Sequence, residues 1–411
     1  MNFKLSRGIA TPSKFTPGVA LLWQGLSLRL INKIIYKVLF RSSNETLNKK
    51  RNEFLFRSAR SAITAILKSR NIGKGKEVII SSFTCSALTN AVISAGATPV
   101  YVDILDDLTM DINSIKEAIN MNTGALIVQN TFGRKSISKD DLNSLTHKKL
   151  VIIDDNCLSF GSKYNGNDIG INSKYSVSSL EASKSFTLGW GGIVKINDKI
   201  LNDKFRHYYS NLKRVNLVKD FKNLFQLWLT IFLQRYSFNN GFILWYLFYG
   251  TRLFKISKTE DKYTTTKHIK MGFVSELIYN EYKKYFDKLG EKSNHNYLKI
   301  QKKLISLGIE PCIIEKENEF IVSPRISFRA PISSINRIKE IAHSHKIEIS
   351  RWFKEAPPIE NLTLCKKQNL NNCSKISLQI INIPCFWSYN SQKIRSIESF
   401  LDDISPLVNN P

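Results

Sequence analysis

The chain has 411 residues, 43% of them hydrophobic, so it is long enough to bury a large core and is not a disordered tail. Sixty lysines and arginines against 34 aspartates and glutamates give a net charge of +26. This charge predicts an anionic partner, which by charge alone could be a nucleotide phosphate, a lipid headgroup or a nucleic acid.

The six cysteines are scattered, with no Cys-x-x-Cys pair and no histidine at ligand spacing. This pattern indicates neither a zinc site nor a disulfide framework, and it favours a reducing cytoplasm. Pro12 and Pro17 interrupt the N-terminal region, and no small-residue cleavage site follows. The N-terminus is therefore not interpreted as a signal peptide, and we expect the protein to stay inside the cell.

Residues 1–52 are predicted to form a basic helical segment. Arg29, Lys33, Lys37 and Arg41 recur at a spacing that puts them on one face of a helix. Such a stripe is usually a solvated face, although it would also suit contact with anionic lipid.

Residues 53–200 are predicted to form a large α/β domain. Short β-branched runs at 77–82, 99–104, 125–130, 150–155, 175–180 and 193–196 alternate with helix-length stretches that include 58–70, 85–95 and 138–147. This alternation predicts a mostly parallel sheet covered by helices on both faces. Ligands of such sheets bind beyond the carboxyl ends of the strands, so we expect the site there.

Two side chains at that edge suggest a chemistry. Asp154 and Asp155 end a buried strand, and Lys184 lies in "SSLEASKSFTLGWGG" (178–192), where Glu181 is the only nearby carboxylate. A carboxylate favours the protonated form of a neighbouring heterocyclic nitrogen, and a lysine amine can attack an aldehyde. Pyridoxal phosphate demands these two groups of a protein, so the sequence predicts this cofactor.

A phosphate cradle is predicted beside them. Ser58 and Ser61 open a helix, whose first N–H groups and positive dipole end bind anions. Ser179 adds a hydroxyl from the strand side. The glycines within 189–192 would let the chain pass close to the cofactor.

Residues 201–300 are predicted to be mainly helical, with an aromatic-rich insert at 222–252. The insert has uncharged runs of 12 and 16 residues separated by Arg235, and neither reaches the roughly 20 residues of a spanning helix. We interpret it as helices buried in a subunit interface or as a surface that lies on a membrane. Residues 301–411 are predicted to form a smaller C-terminal α+β domain.

Four stretches carry a resemblance to a known family. The segments "GKGKEVIISSFTCSALTNAVISAGATPVYVDI", "NTFGRK", "VIIDDNCLSFGSKYNGNDIG" and "SLEASKSFTLGWGG" resemble the DegT/DnrJ/StrS sugar aminotransferases, pyridoxal-phosphate enzymes of fold type I. The resemblance covers residues 53–200 and, more loosely, 265–405. It implies a large sheet domain flanked by helices, a smaller C-terminal α+β domain, and a homodimer with its sites at the interface.

The resemblance also implies roles for individual residues. Lys184 would bond to the cofactor aldehyde, Asp155 would partner the pyridine nitrogen, and Ser179 would bind the phosphate through its hydroxyl. Arg60 and Ser61 would hold the phosphate at the helix start.

This chain departs from the family pattern at three positions. Cys85 stands where relatives stack an aromatic ring over the cofactor, and a sulfur covers less of a π face. Leu158 replaces a glutamine, which removes a polar contact. Arg60 replaces a threonine and would add a charge-assisted bond.

The implied reaction transfers an amino group from glutamate to a nucleotide-linked keto-deoxysugar, in the synthesis of surface polysaccharide or a related glycan. Some relatives carry histidine in place of the lysine and remove a hydroxyl, so Lys184 favours transamination.

Two alternatives stay open. Cys85 and Leu158 would fit a binding or regulatory protein of the same fold that has lost turnover. The basic segment and the aromatic insert would fit a protein at the inner face of the membrane in a lipid-linked glycan pathway. Nucleic-acid binding is not expected, because the basic residues are dispersed and no recognition module is evident.

Overall fold

The computed structural model describes residues 52–145, 150–171, 173–225, 267–358, 365–367 and 369–409. Within them the strands, in chain order, are β1 (Glu53–Phe56), β2 (Glu77–Ser81), β3 (Thr98–Val102), β4 (Thr123–Gln129), β5 (Val151–Asp155), β6 (Lys163–Tyr164), β7 (Asn167–Asp168), β8 (Tyr175–Ser179), β9 (Gly192–Ile196), β10 (Glu319–Phe320), β11 (Arg325–Arg329), β12 (Lys366–Lys367) and β13 (Ile380–Pro384). The α-helices are α1 (Ala59–Ser69), α2 (Ser86–Ala95), α3 (Ile112–Ala118), α4 (Lys139–Ser144), α5 (Lys199–Ser210), α6 (Phe273–Tyr282), α7 (Phe286–Ser306), α8 (Ile335–Ser344), α9 (Asn371–Gln379) and α10 (Ser391–Asn409), with further helical residues at 217–225.

The central feature is an eight-stranded sheet in the order β1-β9-β8-β5-β4-β2-β3-β12. The strands from β8 to β12 in that order are parallel, whereas β9 runs antiparallel to both β8 and β1. Parallel strands need helical crossovers, and the helices that connect them cover the two faces of the sheet. The predicted α/β class with a mostly parallel sheet is confirmed.

Alternate residues along each strand face opposite layers. Ile80, Ile153 and Val177 belong to the largest buried cluster, together with the apolar residues of α1 and α2. Val100 and Val128 face the opposite layer, which contains the buried residues of α3. Burial on both faces explains why these strands are nearly continuous apolar runs in the sequence.

All six predicted strands are confirmed, each within two residues of the expected bounds. The helices predicted at 58–70 and 85–95 are confirmed as α1 and α2. The helix predicted at 138–147 appears as the shorter α4. Strand β1, which pairs with β9 at the edge of the sheet, was not predicted. The basic segment 1–52, apart from its last residue, and most of 222–252 lie outside the described residues.

The C-terminal part mixes strands and helices, as expected. Strands β11 and β13 form an antiparallel pair, and α10 packs against α7 and α8. This part also touches the sheet domain directly: β12 extends the edge of the central sheet beside β3, and β10 pairs with β6. No helix in the described ranges is long and apolar enough to cross a bilayer.

Candidate active site

Asp155 lies at the carboxyl end of β5, where the sequence predicted the ligand edge. The residue is only 6% exposed, and its Oδ1 accepts a hydrogen bond of 3.0 Å from the backbone N–H of Cys157. Burial raises the pKa of the Asp155 carboxyl, and this outweighs the Cys157 hydrogen bonds and the positive charge of Lys184, which act in the opposite direction. Asp155 is thus a buried acid whose one nearby cation is the predicted catalytic lysine.

The preceding carboxylate serves another purpose. Because successive side chains of a strand alternate, Asp154 points away from Asp155 and accepts a short hydrogen bond from the Ser173 hydroxyl. Burial raises the pKa of Asp154, and Ser173 and the charge of Lys135 oppose that shift. Of the two aspartates that end β5, Asp155 alone is brought to Lys184.

Lys184 follows β8 in a tight turn, in which its backbone N–H donates to the carbonyl of Glu181 at 3.1 Å. The Glu181 carboxylate does not face the lysine, since it accepts from the backbone N–H and the hydroxyl of Ser183. Within the described residues, Lys184 Nζ has no ion pair and no hydrogen bond. It lies 5.0 Å from the centre of the Trp352 ring.

The residues predicted to bind a phosphate lie at the start of α1. Ser58 is the N-cap, and its hydroxyl accepts from the backbone N–H of Ser61 at 3.1 Å. The hydroxyl of Ser61 donates to the carbonyl of Lys267 at 2.9 Å, so this side chain is already engaged. Arg60 is half-buried in the first helical turn.

Ser179 is brought to the same place by the strand register. It pairs with Gly192 across β8 and β9, and Gly191 forms a bridge with Ser58. A Cβ on Gly192 would lie 2.4 Å from the Ser58 carbonyl carbon, so only glycine lets the strand approach the helix start this closely. Ser179 Oγ accepts from Glu181 N–H at 3.3 Å, and its own proton has no acceptor among the described residues.

Cys85 and Leu158, two of the three departures from the family pattern, differ in their exposure to solvent. Cys85 occupies the N-cap position of α2, is exposed, and makes no capping hydrogen bond. Its thiol lies within electrostatic reach of Cys157, and Asp155 and Lys184 act on that same Cys157 thiol. Leu158 is 5% exposed and packs in the largest core cluster, where a polar contact is absent.

A hydrogen-bond network fixes the loop that carries Cys85. Gln129, at the end of β4, accepts from the Thr84 hydroxyl at 2.6 Å and donates to the Phe83 carbonyl at 2.8 Å. These residues are buried, and such satisfied polar groups hold a loop in one conformation. The loop after β2 is therefore tied to the neighbouring strand end.

Sequence reasoning missed three residues of this site. Cys157 lies beside Asp155 and Lys184, and Trp352 and Arg325 approach from the C-terminal part. Trp352 and Arg325 are more than 140 residues from Lys184, and no local pattern connects them to it. The one available signal was the presence of Arg325 and Arg329 in the short strand pattern "SPRISFRA", and it does not single out Arg325.

Comparison with known proteins points to one family. Residues 46–226 match the model of the DegT/DnrJ/EryC1/StrS aminotransferase family. The chain is 32% identical over 148 residues to the GDP-perosamine synthase of Escherichia coli O157:H7, covering 36% of this chain and 41% of that protein. It is 31% identical over 164 residues to the dTDP-3-amino-3,6-dideoxy-alpha-D-galactopyranose transaminase of Aneurinibacillus thermoaerophilus, covering 38% and 45%. The chain thus spans less than half the length of these curated relatives.

Solved structures share the fold over nearly the whole chain. A DegT DnrJ EryC1 StrS aminotransferase from Brucella abortus superposes with a TM-score of 0.70 at 16% identity, covering 95% of this chain and 99% of that one. DesV of S. venezuelae gives a TM-score of 0.70 at 18% identity, covering 94% and 97%. Residues 46–226, which contain Asp155, Ser179 and Lys184, thus match the DegT/DnrJ/EryC1/StrS aminotransferase family, and the fold around them is the one that these solved structures share.

Proposed function

We propose that the protein is a pyridoxal-phosphate-dependent aminotransferase that moves an amino group from glutamate to a nucleotide-linked keto-deoxysugar, for the synthesis of surface polysaccharide or a related glycan. The observation that carries the proposal is that the positive charge of Lys184 acts on the buried Asp155 carboxyl. The amine has no ion pair in the described part of the chain, and it faces a carboxylate that is almost fully buried.

The residues present fit the cofactor. The Asp155 carboxylate keeps one backbone hydrogen bond, and no described side-chain cation is hydrogen-bonded to it, so a protonated ring nitrogen would complete its surroundings. The free proton of the Ser179 hydroxyl and the start of α1 would receive a phosphate. Gly192 keeps the backbone between them open.

When bound, pyridoxal phosphate supplies an aldehyde for covalent attachment and a ring that draws electrons from the reacting carbon. Asp155 would hold a proton on the ring nitrogen, since an opposite charge favours the charged form. Lys184 Nζ would hold the aldehyde in the resting protein and, once the amino donor displaces it, carry a proton to and from the substrate.

The phosphate end of the cofactor would be held by hydrogen-bond donors. Ser179 and the first turn of α1, with Arg60 and Ser61, would bind the phosphate. Cys85 would lie at the ring face with less contact area than an aromatic side chain. Leu158 would offer that edge of the ring an apolar contact only.

The partners follow from the same proposal. A diphosphate-bearing sugar suits a chain with a net charge of +26. The name of one relative, GDP-perosamine synthase, supports this substrate class, and that of another, the spore coat polysaccharide biosynthesis protein SpsC of Bacillus subtilis, supports a role in polysaccharide synthesis. We further propose a cytoplasmic homodimer, with the inner face of the membrane as the surface that its positive charge would contact. No observation favours a role without turnover.

Borohydride reduction followed by peptide mapping tests the proposal. After incubation with pyridoxal phosphate, reduction should leave a pyridoxyl group on the peptide that contains Lys184. Lys184→Ala should remove the label, and Lys174→Ala, an exposed lysine just before β8, should keep it. In unreduced protein, glutamate should abolish the visible absorbance of the bound cofactor. A colourless protein, or a label elsewhere, would refute the proposal.

A further inference from the structure

The helical residues 217–225 present an apolar face to solvent. Leu224 is buried and packs with the apolar residues of α6, which fixes the inner side of this helical stretch. Val218, Phe221 and Phe225 recur at three- and four-residue spacing, and they are 79%, 46% and 56% exposed. Large apolar side chains that are grouped on one exposed face mark an interaction surface, whereas scattered ones do not.

Cations lie beside this apolar face. Lys219 and Lys222 are exposed on the same helical stretch. The charge of Arg57, followed by burial and the charge of Lys267, lowers the pKa of Lys219, so these three cations are neighbours. The backbone holds their segments together, because the Arg57 N–H donates to the Ile269 carbonyl at 2.9 Å.

No acidic side chain on this stretch neutralises the cations. Asp220 is the only acidic residue within 211–225, and it is fully buried. Its carboxylate accepts from the backbone N–H groups of Val274 and Ser275 and from the Ser275 hydroxyl, on the side that faces α6. The exposed side is therefore positively charged, and the repulsion between its like charges falls when an anionic partner approaches.

A bilayer that contains anionic lipid offers both of the groups that this face requires. Its hydrocarbon takes up apolar side chains such as Val218 and Phe221, and its headgroup phosphates lie within reach of the lysine side chains beside them. A nucleic acid offers the phosphates but a mostly polar interface. A second copy of the chain, related by a two-fold axis, would bring this cation cluster close to its own copy, and like charges repel.

We propose that Val218, Phe221 and Phe225, with Lys219 and Lys222, form a docking face that binds the protein to an anionic lipid surface. This inference rests on the membrane contact in the proposed function and names the residues that make it. The helical residues would lie along the bilayer surface, with the apolar side chains at the boundary between headgroups and acyl chains.

Co-sedimentation of the full-length, pyridoxal-phosphate-loaded protein with lipid vesicles tests the docking face. The protein should bind vesicles made of equal parts of phosphatidylglycerol and phosphatidylcholine. Added salt should weaken this binding, because it screens the lysine charges. Vesicles of phosphatidylcholine alone should bind about tenfold more weakly, because they have no net negative charge.

A double substitution tests the charged part of the docking face. Lys219→Gln with Lys222→Gln should weaken binding to the mixed vesicles by about tenfold or more. The matched control is Lys299→Gln with Lys302→Gln, which changes two exposed lysines at the same spacing on α7. This control should bind as the original protein does.

A second double substitution tests the apolar part. Val218→Gln with Phe221→Gln should also weaken binding by about tenfold, because glutamine is compatible with a helix but does not enter hydrocarbon. The control is Ile332→Gln with Leu378→Gln, which removes two exposed apolar side chains of the C-terminal part. All of these positions are exposed, so the variants should fold.

Three outcomes would overturn the inference. The first is unchanged vesicle binding in both double variants of the docking face. The second is weaker pyridoxal phosphate binding by Lys219→Gln with Lys222→Gln, which would assign these lysines to the cofactor phosphate. The third is a changed oligomeric state of Val218→Gln with Phe221→Gln, which would show that the face joins two copies. Labelling of Lys184 needs no vesicles, so failure of the docking face is distinguishable from failure of the proposed function.

Discussion

Lys184 Nζ lies 5.0 Å from the centre of the Trp352 ring, although Lys184 follows strand β8 and Trp352 follows helix α8. This cation–π contact brings the C-terminal part onto the amine that the sheet domain presents. It also places an apolar surface where the proposed aldehyde would be attached, which limits the access of water to the amine.

Removing the Trp352 ring should therefore lower activity. A cation–π contact contributes about 0.5–2 kcal/mol, so Trp352→Ala should lower kcat/KM for glutamate about tenfold, and Trp352→Phe should lower it less. The measurement is the rate at which glutamate bleaches the cofactor absorbance in a stopped-flow instrument. Trp387→Phe, at a buried tryptophan that makes no cation–π contact with Lys184, serves as the control. Equal rates for Trp352→Ala and the original protein would contradict this role.

Asp155→Asn should have opposite effects on stability and on cofactor binding. Burial raises the pKa of Asp155, so its contribution to stability is complete below the ordinary carboxyl pKa of about 4 and is lost as the pH rises through the raised value. Asparagine does not titrate. Relative to the original protein, cofactor-free Asp155→Asn should thus gain unfolding free energy as the pH is raised from 5 to 8.

Urea unfolding at the two pH values measures this difference, with the exposed Asp203→Asn as the control. The same Asp155→Asn variant should bind pyridoxal phosphate more weakly, because the ring nitrogen loses its acidic partner. A variant that loses stability at pH 8 and keeps its cofactor affinity would show that Asp155 is structural.

Much of the sheet domain could be predicted because its signals are local. Parallel strands such as β5 are covered on both faces of the sheet, so they appear in the sequence as short apolar runs. Ser58 marks the start of α1, because it caps that helix. The position of the site followed from the strand ends alone. Asp154 and Asp155 could not be separated by composition, since only the pleat of the strand decides which one faces Lys184.

The C-terminal contribution to the site could not be predicted. Trp352 and Arg325 reach Lys184 through packing between distant segments, which leaves no periodic trace in the sequence. An unpaired buried arginine becomes visible only when its neighbours are known.

Two glycine-to-alanine substitutions should change stability in opposite directions. A Cβ on Gly192 would lie 2.4 Å from the backbone of Ser58 and Ala59, so Gly192→Ala should destabilise the protein by about 3 kcal/mol and disturb the start of α1. Gly290 lies inside helix α7, and its added Cβ would meet nothing closer than 3.5 Å. Gly290→Ala should stabilise the protein by about 0.5–1 kcal/mol.

Urea unfolding measures the change in unfolding free energy of both variants. The affinity for pyridoxal phosphate is a second measurement for Gly192→Ala. The variant should bind pyridoxal phosphate more weakly than Gly290→Ala does, because Ser179 pairs with residue 192. If both variants gain stability, the close approach of β9 to α1 is not a feature of the protein.

Asp220 should be the most important capping residue of the helical region. It is fully buried, and its Oδ2 accepts from the backbone N–H groups of Val274 and Ser275 at 2.8 and 3.1 Å, at the start of α6. The N-cap of α6 is Gly272, which has no side chain to do this. Asp220→Ala should therefore leave two buried donors without an acceptor and lower the unfolding free energy by about 3 kcal/mol.

Asp198→Ala provides the matched comparison for Asp220→Ala. Asp198 caps α5 with a single hydrogen bond of 2.9 Å to Leu201 N–H and is only half-buried, so its loss should lower the unfolding free energy by about 1 kcal/mol. Asp220→Asn should fall between the two, because an amide oxygen still accepts from Val274 and Ser275 but carries no charge. Equal losses for Asp220→Ala and Asp198→Ala would mean that the burial of Asp220 adds nothing to its role as a cap.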